Sequence, residues 1–267
     1  METTSVTILG ARGSVPVSDP ACARYGGATT SILLRLAGQY VLIDAGTGIL
    51  RLPAEVLEQA QLPLLMTHAH LDHLNGLSMC PYVQLRDRQL DIYADRQDGA
   101  DLSDVLERLY SPPVWPILPK NFAARLTYHA VSPEFHIGAV SVQSMAGVHP
   151  GGVTLYRLNA NGKSIVVITD CTLTEALYPH AVAFAKNCDI LLCDGQYSDE
   201  EWALRSGFGH NKWSTAARLG ADCGAKTVRI VHHDPTHTDS VLDAAAEEVR
   251  AIHPNCTFAH EGEVIGL

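Results

Sequence analysis

No run of eighteen apolar residues occurs anywhere in the chain, which argues against a membrane-spanning helix. The opening METTSVTILGARG has neither the basic region nor the apolar stretch of a secretory signal, so a cytoplasmic location is expected. The 7 cysteines are odd in number and scattered without a C-x-x-C pair, which disfavours both a disulfide framework and a structural zinc knuckle. Basic residues are scarce: 19 Lys and Arg face 29 Asp and Glu, for a formal charge of -10, and no basic cluster stands out. Phosphate contacts from Lys and Arg normally dominate nucleic-acid affinity, so no extended nucleic-acid surface is expected. Linkers, low-complexity tracts and short repeats are absent too, so residues 1–267 are read as one domain.

What is present is ordinary globular material, 46% apolar and 18% charged. Strand-length apolar runs recur as SVTILG, TSILLRL, YVLIDAG, LPLLMTH and LDIYA, then as AVSVQSM, VTLYRL, KSIVVITD, DILLCDG and TVRIVHH. Helical patterns fall around residues 49–60, 101–110, 174–187, 213–223 and 239–252. This mixture predicts an α/β protein with two sheets and helices outside them. The four prolines of SPPVWPILPK, 111–120, predict an ordered loop.

The informative stretch is LLMTHAHLDHLNG, 64–76, where an apolar strand ends in His68, His70, Asp72 and His73. Imidazoles at the end of a buried strand are costly unless they are hydrogen-bonded or hold a metal. Alternate residues of an extended backbone share a face, which lets His68 and His70 reach one ion, while the following turn swings Asp72 and His73 toward a second. Further donors are expected at other strand ends: His149 before Pro150-Gly151-Gly152, Asp170 after KSIVVIT, and His233 at the end of TVRIVHH. Alternation along that last strand turns His232 the other way.

HAHLDH followed in order by His149, Asp170 and His233 resembles the metallo-β-lactamase fold superfamily over nearly the whole chain. The resemblance implies a four-layer αββα sandwich with two divalent metal ions. His68, His70 and His149 would hold one, Asp72, His73 and His233 the other, and Asp170 would bridge them. Asp44 in LIDAGTG resembles the strand-end aspartate that supports such a site from behind. Histidine and carboxylate donors suit Zn2+, with Mn2+ or Fe2+ as alternatives. His70 stands where the diiron flavoproteins of this superfamily carry glutamate, which argues against iron redox chemistry.

Two more stretches narrow the reading. GFGHNKWSTAARLG, 207–220, and ILLCDGQY, 190–197, are similar to the His and acidic motifs of ribonuclease Z and the small cyclic-phosphate phosphodiesterases, and LGARGSVP and RYGGATTS are similar to the glycine-rich opening of that branch. Departures from the pattern are Asn211-Lys212-Trp213, where relatives commonly carry Ser-Thr, and Asp194 in place of glutamate; no basic arm for tRNA is inserted. The resemblance therefore implies a phosphodiesterase for small phosphodiesters, including cyclic ones. It would work through a metal-bridging hydroxide, with Asp72, His210 and Asp194 as catalytic residues and His210 as proton donor. The alternatives are a thioester or lactam hydrolase of the same fold, or a non-catalytic metal-binding sensor. A homodimer is the default assembly. Arg12 and Lys212 are expected as surface charges, with an anionic substrate as their alternative partner. Trp115 is expected to pack the proline-rich loop, and Tyr110 and Trp213 are candidates to stack on a flat group.

Overall fold

The computed structural model, which describes residues 4–267, contains two seven-stranded sheets. The first comprises β1 (Ser5–Gly10), β2 (Ser31–Leu36), β3 (Gln39–Ile43), β4 (Gln61–Leu65), β5 (Gln89–Ala94), β6 (Arg125–Ala130) and, at its far edge beside β1, β14 (Val264–Gly266). The second runs from β7 (Glu134–Ile137) through β8 (Val140–Gly147), β9 (Val153–Ala160), β10 (Lys163–Ile168), β11 (Ile190–Asp194) and β12 (Thr227–Val231) to β13 (Cys256–Phe258). Helices α1 (Ala54–Leu57) and α2 (Leu102–Leu109) cover the outer face of the first sheet together with several 3-10 turns. Helices α3 (Tyr178–Phe184), α5 (Trp213–Cys223) and α6 (Asp239–Ile252) cover the second, and α4 (Asp199–Arg205) lies between β11 and α5 in the chain. No helix among the described residues is long and apolar enough to cross a membrane.

The central strands are apolar on both faces because both faces are covered. In β10, Ile165 and Val167 point into the core between the sheets, whereas Val166 and Ile168 point to the helices. β11 repeats the pattern, with Ile190 and Leu192 inside and Leu191 and Cys193 outside. In β2 and β3, Ile32, Leu34, Val41 and Ile43 face the central core and Leu33 and Leu42 the outer one. Three apolar layers separated by two sheets make the four-layer αββα sandwich. Burial of such side chains contributes on the order of 1.5–3 kcal/mol each.

β3 to β6 are parallel, as are β10 to β13, and β8 shares the direction of β10 through two antiparallel pairings with β9. The carboxyl ends of β3, β4, β8, β10, β11 and β12 therefore open toward one edge of the sandwich, the place where open α/β sheets present ligand-binding groups. Two bonds tie the sheets together there: Tyr156 Oη donates to Met66 O at 2.7 Å, and Thr154 N to Thr67 O at 2.8 Å.

Candidate metal centre

Three strand ends at this edge turn through left-handed backbone at residues other than glycine: Asp44 after β3 (φ 59°), Asp170 after β10 (φ 52°) and His232 after β12 (φ 62°). Such conformations cost L-residues roughly 1–2 kcal/mol each and collect where side chains must be re-aimed. His232 shows the consequence. Val228 and Ile230 of β12 face the helix layer and Val231 faces the central core, so regular alternation would send residue 232 outward and 233 inward. The left-handed turn reverses that parity. The Nε2 of His232 lies 2.9 Å from Asp170 Oδ1 and 3.1 Å from Asp72 Oδ2. His233 instead packs edge-on against Phe258 and Tyr25 and donates from Nε2 to Ala259 O at 2.7 Å. The expected donor His233 is thus corrected to His232; strand alternation fails where the strand has already ended.

The remaining expected donors converge. Ligand-capable atoms of His68, His70 and His149 lie within 4.8 Å of one another, as do those of Asp72, His73, Asp170 and His232. A third group overlaps the second: Asp170 and His232 with Asp194 and His210. His149 Nε2 and His70 Nδ1 are 3.0 Å apart, and Asp170 is within 3.8 Å of His68 Nε2 and 3.3 Å of His73 Nε2, which places its carboxylate between the first two groups.

Three of the imidazoles, those of His73, His68 and His149, are oriented from behind. Asp44 accepts Thr67 N–H at 2.8 Å on Oδ1, and Thr67 Oγ1 at 2.7 Å and His73 Nδ1 at 2.8 Å on Oδ2. The Thr67 hydroxyl, having given its proton to Asp44, accepts from His68 Nδ1 at 3.0 Å. His149 Nδ1 donates to Gly209 O at 2.9 Å. The Gln97 amide joins the two histidine-bearing segments, accepting from Ala69 N at 2.7 Å and donating to Gly152 O at 3.2 Å. Ser14, from the glycine-rich opening, donates its backbone N–H to Asp72 Oδ2 at 2.8 Å. Sequence reading did not single out Gln97 or Ser14; neither carries a spacing signal, and both act through chain segments brought in by the fold.

The electrostatics follow from packing unlike groups together. Burial pushes the His68 imidazole well down, with neighbouring His73 adding to it. Burial opposes the charged forms of His73 and His232 as well, yet Asp170 and Asp72 outweigh it, holding His73 well above its usual value and His232 at about 10. Asp72 and Asp170 are held well below the carboxylate range, since these imidazoles overcome the cost of burial. Burial pushes Asp44 up against the opposing pull of His73 and Thr67.

A divalent cation fits this arrangement. Nε2 of His68 is buried without a hydrogen-bond partner although it points into the cluster, and Nε2 of His73 there faces the carboxylates of Asp72 and Asp170 only at 3.4 and 3.3 Å. Buried nitrogens left in that state cost free energy that coordination recovers. The histidine and carboxylate donors are those of zinc and related ions, and cations there would displace the protons held between imidazole and carboxylate.

His210 adjoins the cluster. Its Nδ1 is 2.7 Å from Asp194 Oδ2, and its ring stacks on His232 with centroids 4.6 Å apart. Asp194 Oδ1 also accepts the backbone N–H of Gln196 and of Asn211, which pins both loops. The other flagged residues have structural roles. Arg12 is fully buried, its guanidinium bonded to the carbonyls of Gly26, Asp234 and His237. Lys212 pairs with Asp199. Trp213 is buried on Phe258 and donates to Glu248, and Tyr110 is buried with Trp115 edge-on against it.

The fold has counterparts among known proteins. Residues 39–233 match the family model described as the beta-lactamase superfamily domain. Ribonuclease Z of Archaeoglobus fulgidus is 23% identical, in an alignment covering 96% of this chain and 95% of that protein. The metallo-beta-lactamase fold protein YhfI from Bacillus subtilis superposes with a TM-score of 0.72 at 17% identity, covering 100% of both chains. A diphosphatase from the PhnP family superposes with a TM-score of 0.71 at 17% identity, covering 99% of this chain and 97% of that one.

Proposed function

The chain belongs to the metallo-β-lactamase fold superfamily, and on that premise we propose that it is a metal-dependent phosphodiesterase acting on small phosphodiesters. The similarity to ribonuclease Z and to a PhnP-family diphosphatase supports the phosphodiester class. His68, His70 and His149 would hold one divalent cation, and Asp72, His73 and His232 a second, with Asp170 shared. Zinc suits these donors best, and manganese and iron accept the same set. Bound there, the cations supply Lewis acidity toward a phosphoryl group and the means of ionising water near neutrality.

The observation that carries the reading is the His210–Asp194 pair, at 2.7 Å, standing beside the donor cluster. With Nδ1 engaged by Asp194, Nε2 of His210 is the nitrogen left for substrate. A thiolate departs without help, whereas an alkoxide leaving phosphorus needs a proton, so a dedicated donor marks the ester of a poor leaving group. In this role His210 gives its Nε2 proton to the departing oxygen, and Asp194 holds the ring in place. The acidic composition and the lack of a basic arm favour a small substrate over tRNA.

The test compares His210→Ala with the parent protein on phosphodiesters of graded leaving group, alongside metal content. We expect both metals retained, turnover of p-nitrophenyl esters lowered modestly, and turnover of alkyl esters lowered by about 10² to 10⁴. Equal losses across the series would remove the proton-donor role. Turnover of a thioester without any phosphodiester would remove the reading itself.

A further inference from the structure

Most large apolar side chains are buried, yet four of those exposed are sequence neighbours of groups in the centre. Val15 (53% exposed) follows Ser14, Leu71 (57%) lies between His70 and Asp72, Val148 (46%) precedes His149, and Phe208 (60%) precedes Gly209, the carbonyl acceptor of His149. The contacts bring these positions around one mouth. Ser14 N–H is bonded to Asp72, next to Leu71. His70 is 3.0 Å from His149, next to Val148. A Cβ on Gly209 would come within 2.2 Å of His149 Nδ1 and 2.6 Å of Pro150 Cδ, so the chain at Phe208 lies directly on the turn that begins at Val148. Single exposed apolar residues need no explanation, but four whose neighbours in the chain all belong to one polar centre do.

Charge points the same way. The segments reaching the centre, roughly residues 11–15, 66–76, 95–98, 147–152, 169–173, 194–197, 205–213 and 231–237, contain only Arg12, Arg96, Arg205 and Lys212 as cations. Arg12 is spent on three carbonyl groups, Arg96 pairs with Asp101, Arg205 with Asp234 and Lys212 with Asp199. No cation among these segments is left to follow a second phosphate. A strand of nucleic acid requires such contacts; a lone phosphodiester facing a metal pair does not.

We infer that the site takes an isolated phosphodiester of single negative charge whose ester groups are apolar or aromatic, with Val15, Leu71, Val148 and Phe208 forming the surface that receives them. This rests on the phosphodiesterase reading and adds the substrate class. The reaction is hydrolysis: water forms a new P–O bond, the P–O bond to one alcohol breaks, that alcohol leaves carrying a proton, and the other ester group remains on the phosphomonoester. No oxidant or further reactant is involved.

The test uses the metal-loaded protein with methyl, hexyl and phenyl p-nitrophenyl phosphate, which share a leaving group and differ in the retained group. Covering even part of the longer chain on an exposed rim is expected to raise kcat/KM for the hexyl and phenyl esters about tenfold over methyl, chiefly through KM. Phe208→Ser should erase that preference. Val264→Ser, at an exposed position of the edge strand β14, should keep it. Raising salt from about 50 to 200 mM should change kcat/KM by less than about twofold. Equal rates for the three esters, or a steep salt dependence, would overturn the inference while leaving the phosphodiesterase reading intact. Loss of a dimer in Phe208→Ser with the ester preference unchanged would also overturn it, assigning the rim to contact between copies. Failure of all three esters alongside turnover of a thioester would instead sink the parent reading.

Discussion

His232 and His233 are adjacent in the chain but serve opposite sides of the strand end: Nε2 of His232 meets Asp170 Oδ1 at 2.9 Å, and Nε2 of His233 meets Ala259 O at 2.7 Å. Burial holds the His233 imidazole down at about 3, so it is neutral at any working pH, with its proton on Nε2 for the Ala259 carbonyl. The two alanine variants should therefore fail differently. His232→Ala is expected to lose about half of the bound divalent cation, because one of the two donor groups of the centre is broken. His233→Ala is expected to keep its metal and to lose roughly 1–3 kcal/mol of stability through an unpaired buried carbonyl. Elemental analysis and thermal denaturation of both proteins separate the cases. Metal loss in His233→Ala alone would reverse the assignment.

Gly13 determines whether the His232 ring can sit where it does. A Cβ at Gly13 would stand 2.3 Å from both Nδ1 and Cε1 of that ring. The ring cannot retreat, since it is stacked between His210 and His73, with centroids 4.6 and 5.7 Å away. Nor can the backbone easily give way, because Gly13 N–H donates to His233 O at 2.9 Å. Gly13→Ala should lower metal affinity on the His232 side, whereas Gly207→Ala, with open space around its Cβ position, should not. Chelator competition for bound zinc on the two variants gives the comparison, and unchanged affinity in Gly13→Ala would show that the ring can be re-seated at no cost.

The legibility of the chain followed the physics of its signals. Apolar runs of strand length marked β1 to β5 and β8 to β12 well. Exposed or very short strands did not stand out: β6 and β7 carry several surface residues, and β13 and β14 have three residues each. The helical pattern at 49–60 became a 3-10 turn and one turn of α1, because Pro53 removes a backbone donor between them. At the centre, clustering of His68, His70, Asp72 and His73 is a local signal and was readable. The choice between His232 and His233 was not, because it depends on one left-handed residue that alternation cannot foresee. Arg12 misled for a related reason: a guanidinium can be fully buried when three carbonyl groups from two separate segments, Gly26 on one and Asp234 and His237 on the other, converge on it, and only the fold brings them there.

Asp44 supports two imidazoles at once, and this makes it the most informative position to change conservatively. Its Oδ2 accepts both from His73 Nδ1 and from Thr67 Oγ1, and the threonine hydroxyl in turn accepts from His68 Nδ1. Both rings thereby keep a proton on Nδ1, so Nε2 is the nitrogen each turns toward the cluster, and a cation that displaces the Nε2 proton of His73 meets a lone pair from each ring. Asp44→Asn preserves shape but replaces one acceptor oxygen with an NH2 donor. If the NH2 takes the Oδ1 place it opposes the Thr67 N–H. If it takes the Oδ2 place it drives the His73 proton onto Nε2, where the metal should be. Either arrangement is expected to lower affinity for the divalent cations about 10- to 100-fold while leaving the overall fold in place. Zinc titration against a competing fluorescent chelator measures the first, and far-UV circular dichroism checks the second. Parent-like affinity in Asp44→Asn would mean that the rings hold their tautomers without this carboxylate, and the relay through Thr67 would then have no part in building the centre.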